Sequence, residues 1–192
     1  MKSGMRKVLH VAVAAALVMG TFPGPALAAT SADVDAVFHV DSAGPQMLGV
    51  ELLDMQDLVT RELAPQVPYK LRISLEHDET LDRIQNIKVV FYHSSENGVP
   101  SEGNDTTAAV YEWTKSGGFA KDGSTGRTWT IEPETSVPAL TANSGDFTLV
   151  FKPGKAARQT GEADRWHVYV RVTDVYGKVA EGTIQDITMF WY

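Results

Sequence analysis

The chain has 192 residues and no cysteine, with 43% hydrophobic and 21% charged residues, the make-up of a folded protein with a core to bury. Without cysteine there is no disulfide framework, thiolate-bound zinc, iron–sulfur cluster or thiol nucleophile, nor the residue that anchors a bacterial lipoprotein. With 17 basic against 24 acidic residues the net charge is −7, which does not suit a phosphate backbone, so nucleic acid is not an expected partner.

Residues 1–28 read as a secretory signal peptide. Lys2, Arg6 and Lys7 form its basic start, Val8–Met19 its apolar stretch, and Ala26-Leu27-Ala28 a small-x-small cleavage site. The apolar run is about a dozen residues, short of the roughly 20 that cross a bilayer. Cleavage after Ala28 removes three basic and no acidic residues, leaving 14 basic against 24 acidic. No later segment approaches membrane-spanning length, so the expected location is extracellular or at the cell surface. The expected division is signal peptide 1–28, an N-terminal strand and hinge over 29–48, and one sandwich domain over 49–192.

Beyond the signal peptide, apolar residues recur with period two, the mark of half-buried strands. Val34, Ala36, Phe38 and Val40 alternate with Asp33, Asp35, Val37 and His39. Gly44-Pro45 within Ser42–Leu48 reads as a hinge, and Val50–Leu53 as a short strand. Gln56–Leu63 and Leu81–Ile87 each have room for one helical turn. Tyr69, Leu71, Ile73 and Leu75 oppose Lys70, Arg72, Ser74 and Glu76, the clearest strand in the chain. Ile87–Tyr92, Ala109–Lys115, Arg127–Ile131, Phe147–Phe151, Trp166–Thr173 and Ile184–Tyr192 follow, separated by polar loops at Ser94–Thr107, Ser116–Thr128 and Lys152–Asp164. Asp174-Val175-Tyr176-Gly177-Lys178 reads as a hairpin turn. Eight or nine short strands with Gly, Pro, Asn and Ser punctuation predict an all-β antiparallel sandwich.

Trp166-x-Val168-x-Val170-x-Val172-x-Asp174-x-x-Gly177-Lys178 resembles the penultimate strand and following turn of bacterial immunoglobulin-like and fibronectin-III-like modules. The pair Tyr69–Leu75 and Ile87–Tyr92 is similar to their second and third strands, and Phe147–Gly154 to the strand before their long crossover. The likeness covers roughly Gly49–Tyr192. It implies a Greek-key sandwich and a structural, adhesive or ligand-presenting role in an exported prokaryotic protein. Trp166 stands where such modules commonly place a tyrosine whose hydroxyl bonds to the backbone.

The residues carry no reaction signature. His39, His77, His93 and His167 have no metal-ligand spacing, and Gly123-Ser124-Thr125-Gly126 has the wrong register for a nucleophile elbow. The expectation is therefore a non-enzyme without metal or cofactor. Glu76–Glu79, Asp82 and Asp174 supply hard oxygen ligands for weak calcium binding or, more simply, solvated turns. Trp113, Trp129 and Trp166 fall on inward faces by parity and are expected in the core, not on a sugar platform.

The outer faces are more telling. If Ile87–Tyr92, Trp166–Thr173 and Ile187–Tyr192 are neighbours in one sheet, Val90, Tyr92, Tyr169, Phe190 and Tyr192 share its solvent side. Such an apolar, aromatic face marks a contact with another surface protein or a second copy. The N-terminal strand, through Val34, Ala36, Phe38 and Val40, pairs either within its own chain or with a neighbour, and exchange of that kind would propagate as a filament. The sequence thus predicts an exported surface-structure, adhesion or assembly protein; a glycan-binding module and a filament subunit remain the alternatives.

Overall fold

The computed structural model describes residues 43–96, 99–100 and 103–190. All belong to one compact unit spanning Val40–Tyr192. The signal peptide and the strand carrying Val34, Ala36, Phe38 and Val40 lie outside the described residues.

Ten strands form the domain: β1 (Pro45–Leu53), β2 (Glu62–Leu63), β3 (Tyr69–His77), β4 (Ile84–His93), β5 (Ala108–Thr114), β6 (Gly118–Lys121), β7 (Thr130–Ile131), β8 (Ser144–Lys152), β9 (Trp166–Asp174) and β10 (Val179–Met189). They make two sheets, in the orders β1-β3-β8-β7 and β2-β10-β9-β4-β5-β6. Every pairing between these strands is antiparallel except β2 with β10. The domain is therefore the all-β sandwich that the period-two pattern predicts.

Alternation decides which residues meet between the sheets. Leu71, Ile73 and Leu75 of β3 and Phe147, Leu149 and Phe151 of β8 face Val89 and Phe91 of β4 and Val168, Val170 and Val172 of β9, all fully buried. Each such side chain contributes roughly 1.5–3 kcal/mol by leaving water, which is how a chain without disulfides holds together. Trp129, just ahead of β7, fills the centre: it stacks on Phe151 at 5.9 Å and 12° and lies 5.4 Å from Trp166. The Trp166 indole N–H donates to the Arg158 carbonyl at 2.7 Å, a side-chain bond to the backbone made from within the core.

The differences from the sequence reading lie at the edges. The hinge expected over Ser42–Leu48 is strand from Pro45 onward, with a bulge between Met47 and Gly49 that keeps β1 in register with β3. Gly182 of β10 lets β1 pass close by, since a Cβ there would stand 2.7 Å from Val50. Gln56–Leu63 forms no helix: the Asp54 carboxylate accepts the Gln56 and Leu58 N–H groups and turns the chain toward β2. The Ser116–Thr128 loop contains β6. The last strand begins at Val179, earlier than Ile184, and bulges between Ile184 and Ile187, where Asp186 has φ +60°.

His93 is fully buried against Trp166, with their rings 5.6 Å apart. Its Nδ1 accepts the Ser95 N–H at 3.1 Å. Burial holds its pKa below the ordinary histidine value, while Asp164 and the backbone at Gln159 pull the other way. His167 is lowered too, by burial against the pull of Asp186. Below about pH 6.5 the unfolded chain takes up protons that the folded chain resists, so stability is complete above that pH and is lost as the pH falls. Urea melts at successive pH values should show the midpoint falling on acidification, less steeply in His93→Gln, and less again when His167→Gln is added.

Candidate functional site

β10, β9 and β4 are neighbours, the arrangement that the expected contact face requires. The five residues nevertheless do not form one open surface. Val90 and Tyr92 are each 3% exposed and make a second small cluster with Val110, against which Tyr169 packs half-buried. Tyr92 and His167 face each other with ring centroids 5.2 Å apart. The Tyr169 hydroxyl donates to Glu181 at 2.6 Å, and burial together with that carboxylate raises its pKa. Phe190 is 44% exposed but stands seven residues beyond Thr183, the partner of Tyr169, which puts it about 20 Å away along β10. Tyr192 lies outside the described residues. Parity along a strand does not say whether a face is covered.

Two of the exposed apolar residues, Val175 and Tyr176, stand at one end of the sandwich, where three connections meet. Residues 78–83 join β3 to β4, residues 115–117 join β5 to β6, and residues 175–178 join β9 to β10. Strand register brings them together, because Ile84 at the start of β4 lies opposite Asp174 at the end of β9, and Asn86 lies opposite Thr114 near the end of β5.

Asp174 shapes this end. It is fully buried, and one of its oxygens accepts the N–H groups of Tyr176 at 2.9 Å and Lys178 at 2.8 Å, which closes the hairpin around Gly177 at φ +78°. Its other oxygen faces His77 Nε2 at 3.5 Å, joining a strand of one sheet to a strand of the other. His77 Nδ1 lies 3.0 Å from Asp78 Oδ1 and 3.1 Å from the Glu79 nitrogen, so the ring sits between Asp78 on one side and Asp174 on the other.

Outside that buried pair, Tyr176 donates to Glu79 at 3.1 Å, Glu79 pairs with Arg83 at 2.7 Å, and the Arg83 guanidinium lies 5.8 Å from the Tyr176 ring centre. The hydrogen bond to Glu79 lifts the Tyr176 pKa, and Glu79 likewise raises that of Arg83. The 78–83 and 175–178 connections are thus held against each other. Beside them runs a groove of about 630 Å³, lined by Asp82, Ile84, Gln85, Thr114, Lys115, Ser116 and Val175. A Lys115–Asp82 ion pair at 2.5 Å crosses it. Val175, which lines it, and Tyr176, next to it in the hairpin, are 51% and 53% exposed.

Of the acidic residues considered for calcium, Glu79, Asp82 and Asp174 are engaged in these contacts. Among the described residues no three histidine or carboxylate side chains are arranged to hold a metal ion. Trp113, Trp129 and Trp166 are all buried, and none presents a flat surface to a sugar. Trp191 lies outside the described residues. Among the described residues no helix is long and apolar enough to cross a membrane.

No protein-family model matches the chain, and no curated protein matches it. Among solved structures it is similar to the major pilin subunit of Bacillus cereus, with a TM-score of 0.34 and 8% identity over 78% of this chain. The chain spans 41% of that pilin's length. A likeness this slight carries no argument about function.

Proposed function

We propose that the protein is an exported, non-enzymatic immunoglobulin-like module that works at the cell surface, in adhesion or assembly, by binding a macromolecular partner at the three-loop end of its sandwich. The strand orders support the immunoglobulin-like part. β1-β3-β8-β7 matches the A-B-E-D sheet of that fold, and β10-β9-β4-β5-β6 its G-F-C-C′-C″ sheet. The basic, apolar and small-residue pattern of residues 1–28 supports export.

The observation that carries the binding reading is the meeting of the 78–83, 115–117 and 175–178 connections around a groove that Val175 lines, with Tyr176 exposed on the same hairpin. Loops on a rigid sheet scaffold are where proteins place recognition. The buried Asp174 and its two backbone contacts preorganise the hairpin, which lowers the entropic cost of binding. Val90, Tyr92 and Tyr169 in a covered cluster, with Phe190 at a distant strand end, offer less.

Photocrosslinking on intact cells tests this. A photoreactive residue at position 176 should give discrete cross-linked products, and one at position 90 should give none. Val175→Ser combined with Tyr176→Ser should abolish surface retention while lowering the melting temperature by only a few degrees, because each side chain is about half exposed and the Tyr176 contacts with Glu79 and Arg83 that are lost lie at the surface. Cross-links from position 90 and none from 176 would return the contact to the sheet face. The exported chain should begin at Ala29 by mass.

A further inference from the structure

The outer face of the β1-β3-β8-β7 sheet holds a second site, remote in sequence from the three connections above. Lys70 and Arg72 point outward from β3, and Thr148 and Val150 from β8. Val150 is 1% exposed although it faces away from the core, because two loops fold back over the sheet. Residues 54–58 form one wall, pinned by the Asp54 carboxylate. Residues 132–136 form the other: Thr135 bonds through its hydroxyl to both the N–H and the carbonyl of Val150, and Ser136 bridges to Thr148. Between them is a pocket of about 330 Å³, at the small end of the range for ligand sites.

Its charged lining is balanced. Lys70 and Arg72 face Asp57 and Glu134 across the pocket. Lys70 Nζ lies 2.9 Å from Asp57, and Arg72 reaches Glu51 at 3.2 Å and Asp57 at 3.6 Å. The Lys70 hydrogen bond holds the Asp57 carboxyl below its ordinary pKa, so it stays an acceptor. Asp57 also adopts φ +64°, a left-handed conformation that its loop holds in place. An anion entering here meets two carboxylates, and a cation meets two cationic side chains. A hydroxyl both donates and accepts, so a row of hydroxyls can pair with carboxylate, guanidinium, Ser136 and Thr148 in turn. Met55 is the apolar residue of the lining that is not fully covered, and it can meet the C–H face of a ring.

We infer that this pocket binds a neutral sugar unit of a glycan. Neither tryptophan nor tyrosine is among its lining residues, so this is a hydrogen-bonding site and not a stacking platform.

The exported chain should be screened on an array of neutral glycans, then titrated with chitobiose, maltose and inorganic phosphate while the amides of Lys70, Arg72, Thr148 and Val150 are followed by NMR. A neutral sugar should bind the array or shift those amides saturably, and phosphate should leave them unmoved. Glu134→Gln, at an exposed loop position, and Arg72→Met should each weaken binding about tenfold. Val175→Ser with Tyr176→Ser should leave it unchanged, which separates this site from the loop end. An array without a hit together with no saturable amide shift by either sugar, shifts with phosphate in place of sugar, or full binding by Glu134→Gln would each overturn the assignment.

Discussion

Asp174→Ala should cost about 3–4 kcal/mol of folding stability, far more than any other carboxylate replacement on this surface. The carboxylate is fully buried and supplies the acceptor for two backbone N–H groups of the β9–β10 hairpin. Alanine removes that acceptor and leaves His77 Nε2 facing nothing polar in a buried site. Asp174→Asn retains an acceptor for the hairpin and loses only the charge, so it should cost about half as much. Urea denaturation of the two variants reads the difference directly. The effect should reach the loop end, because Val175 and Tyr176 follow Asp174 and the Val175 N–H donates to the Arg83 carbonyl at 2.9 Å. Amide exchange at 175–178 should rise in Asp174→Ala ahead of global unfolding. A loss below about 1 kcal/mol for alanine would mean that solvent closes the hairpin as well as the carboxylate does.

The same residue marks what could be read from the sequence and what could not. Its place in Asp174-x-x-Gly177-Lys178 identified the turn, but nothing in the spacing indicates that Asp174 would be buried facing His77 on the other sheet. Contact between sheets is a property of packing, not of alternation along one strand. β3 and β9 are legible because each has one buried and one wetter face along its length, which writes a period of two into the chain. β2 and β6 are not, since Glu62–Leu63 is too short for a period and Gly118–Lys121 has one large apolar residue.

Alternation also says which side of a sheet a residue takes and nothing about what lies over it. That is why Val90 and Tyr92 were read as an open contact face and are found at 3% exposure. A signal for cover was present elsewhere, in Val150, an aliphatic residue on the solvent side of the Phe147–Phe151 strand. It coincides with the pocket beneath two folded-back loops, a site that no motif announced.

The second large effect belongs to Trp166. Its ring is fully buried, packs 5.4 Å from Trp129 and 5.6 Å from His93, and donates its indole N–H to the Arg158 carbonyl. Those contacts tie the start of β9 to the 152–165 crossover, so one side chain both fills the core and fixes where the long connection lands. Trp166→Ala should cost about 3–5 kcal/mol through the cavity alone. Trp166→Phe keeps much of the apolar volume and removes the donor, and should cost about 2 kcal/mol, with the Arg158 carbonyl left to find water. Trp166→Tyr is the informative variant. It restores the residue that similar modules carry, and a hydroxyl reaching the same carbonyl would hold the loss to about 1 kcal/mol. If tyrosine proves no better than phenylalanine, the crossover is held by ring volume and not by the bond to Arg158. Chevron analysis then separates the roles: a bond formed only in the native state speeds unfolding when it is lost, whereas core volume already present in the transition state slows folding.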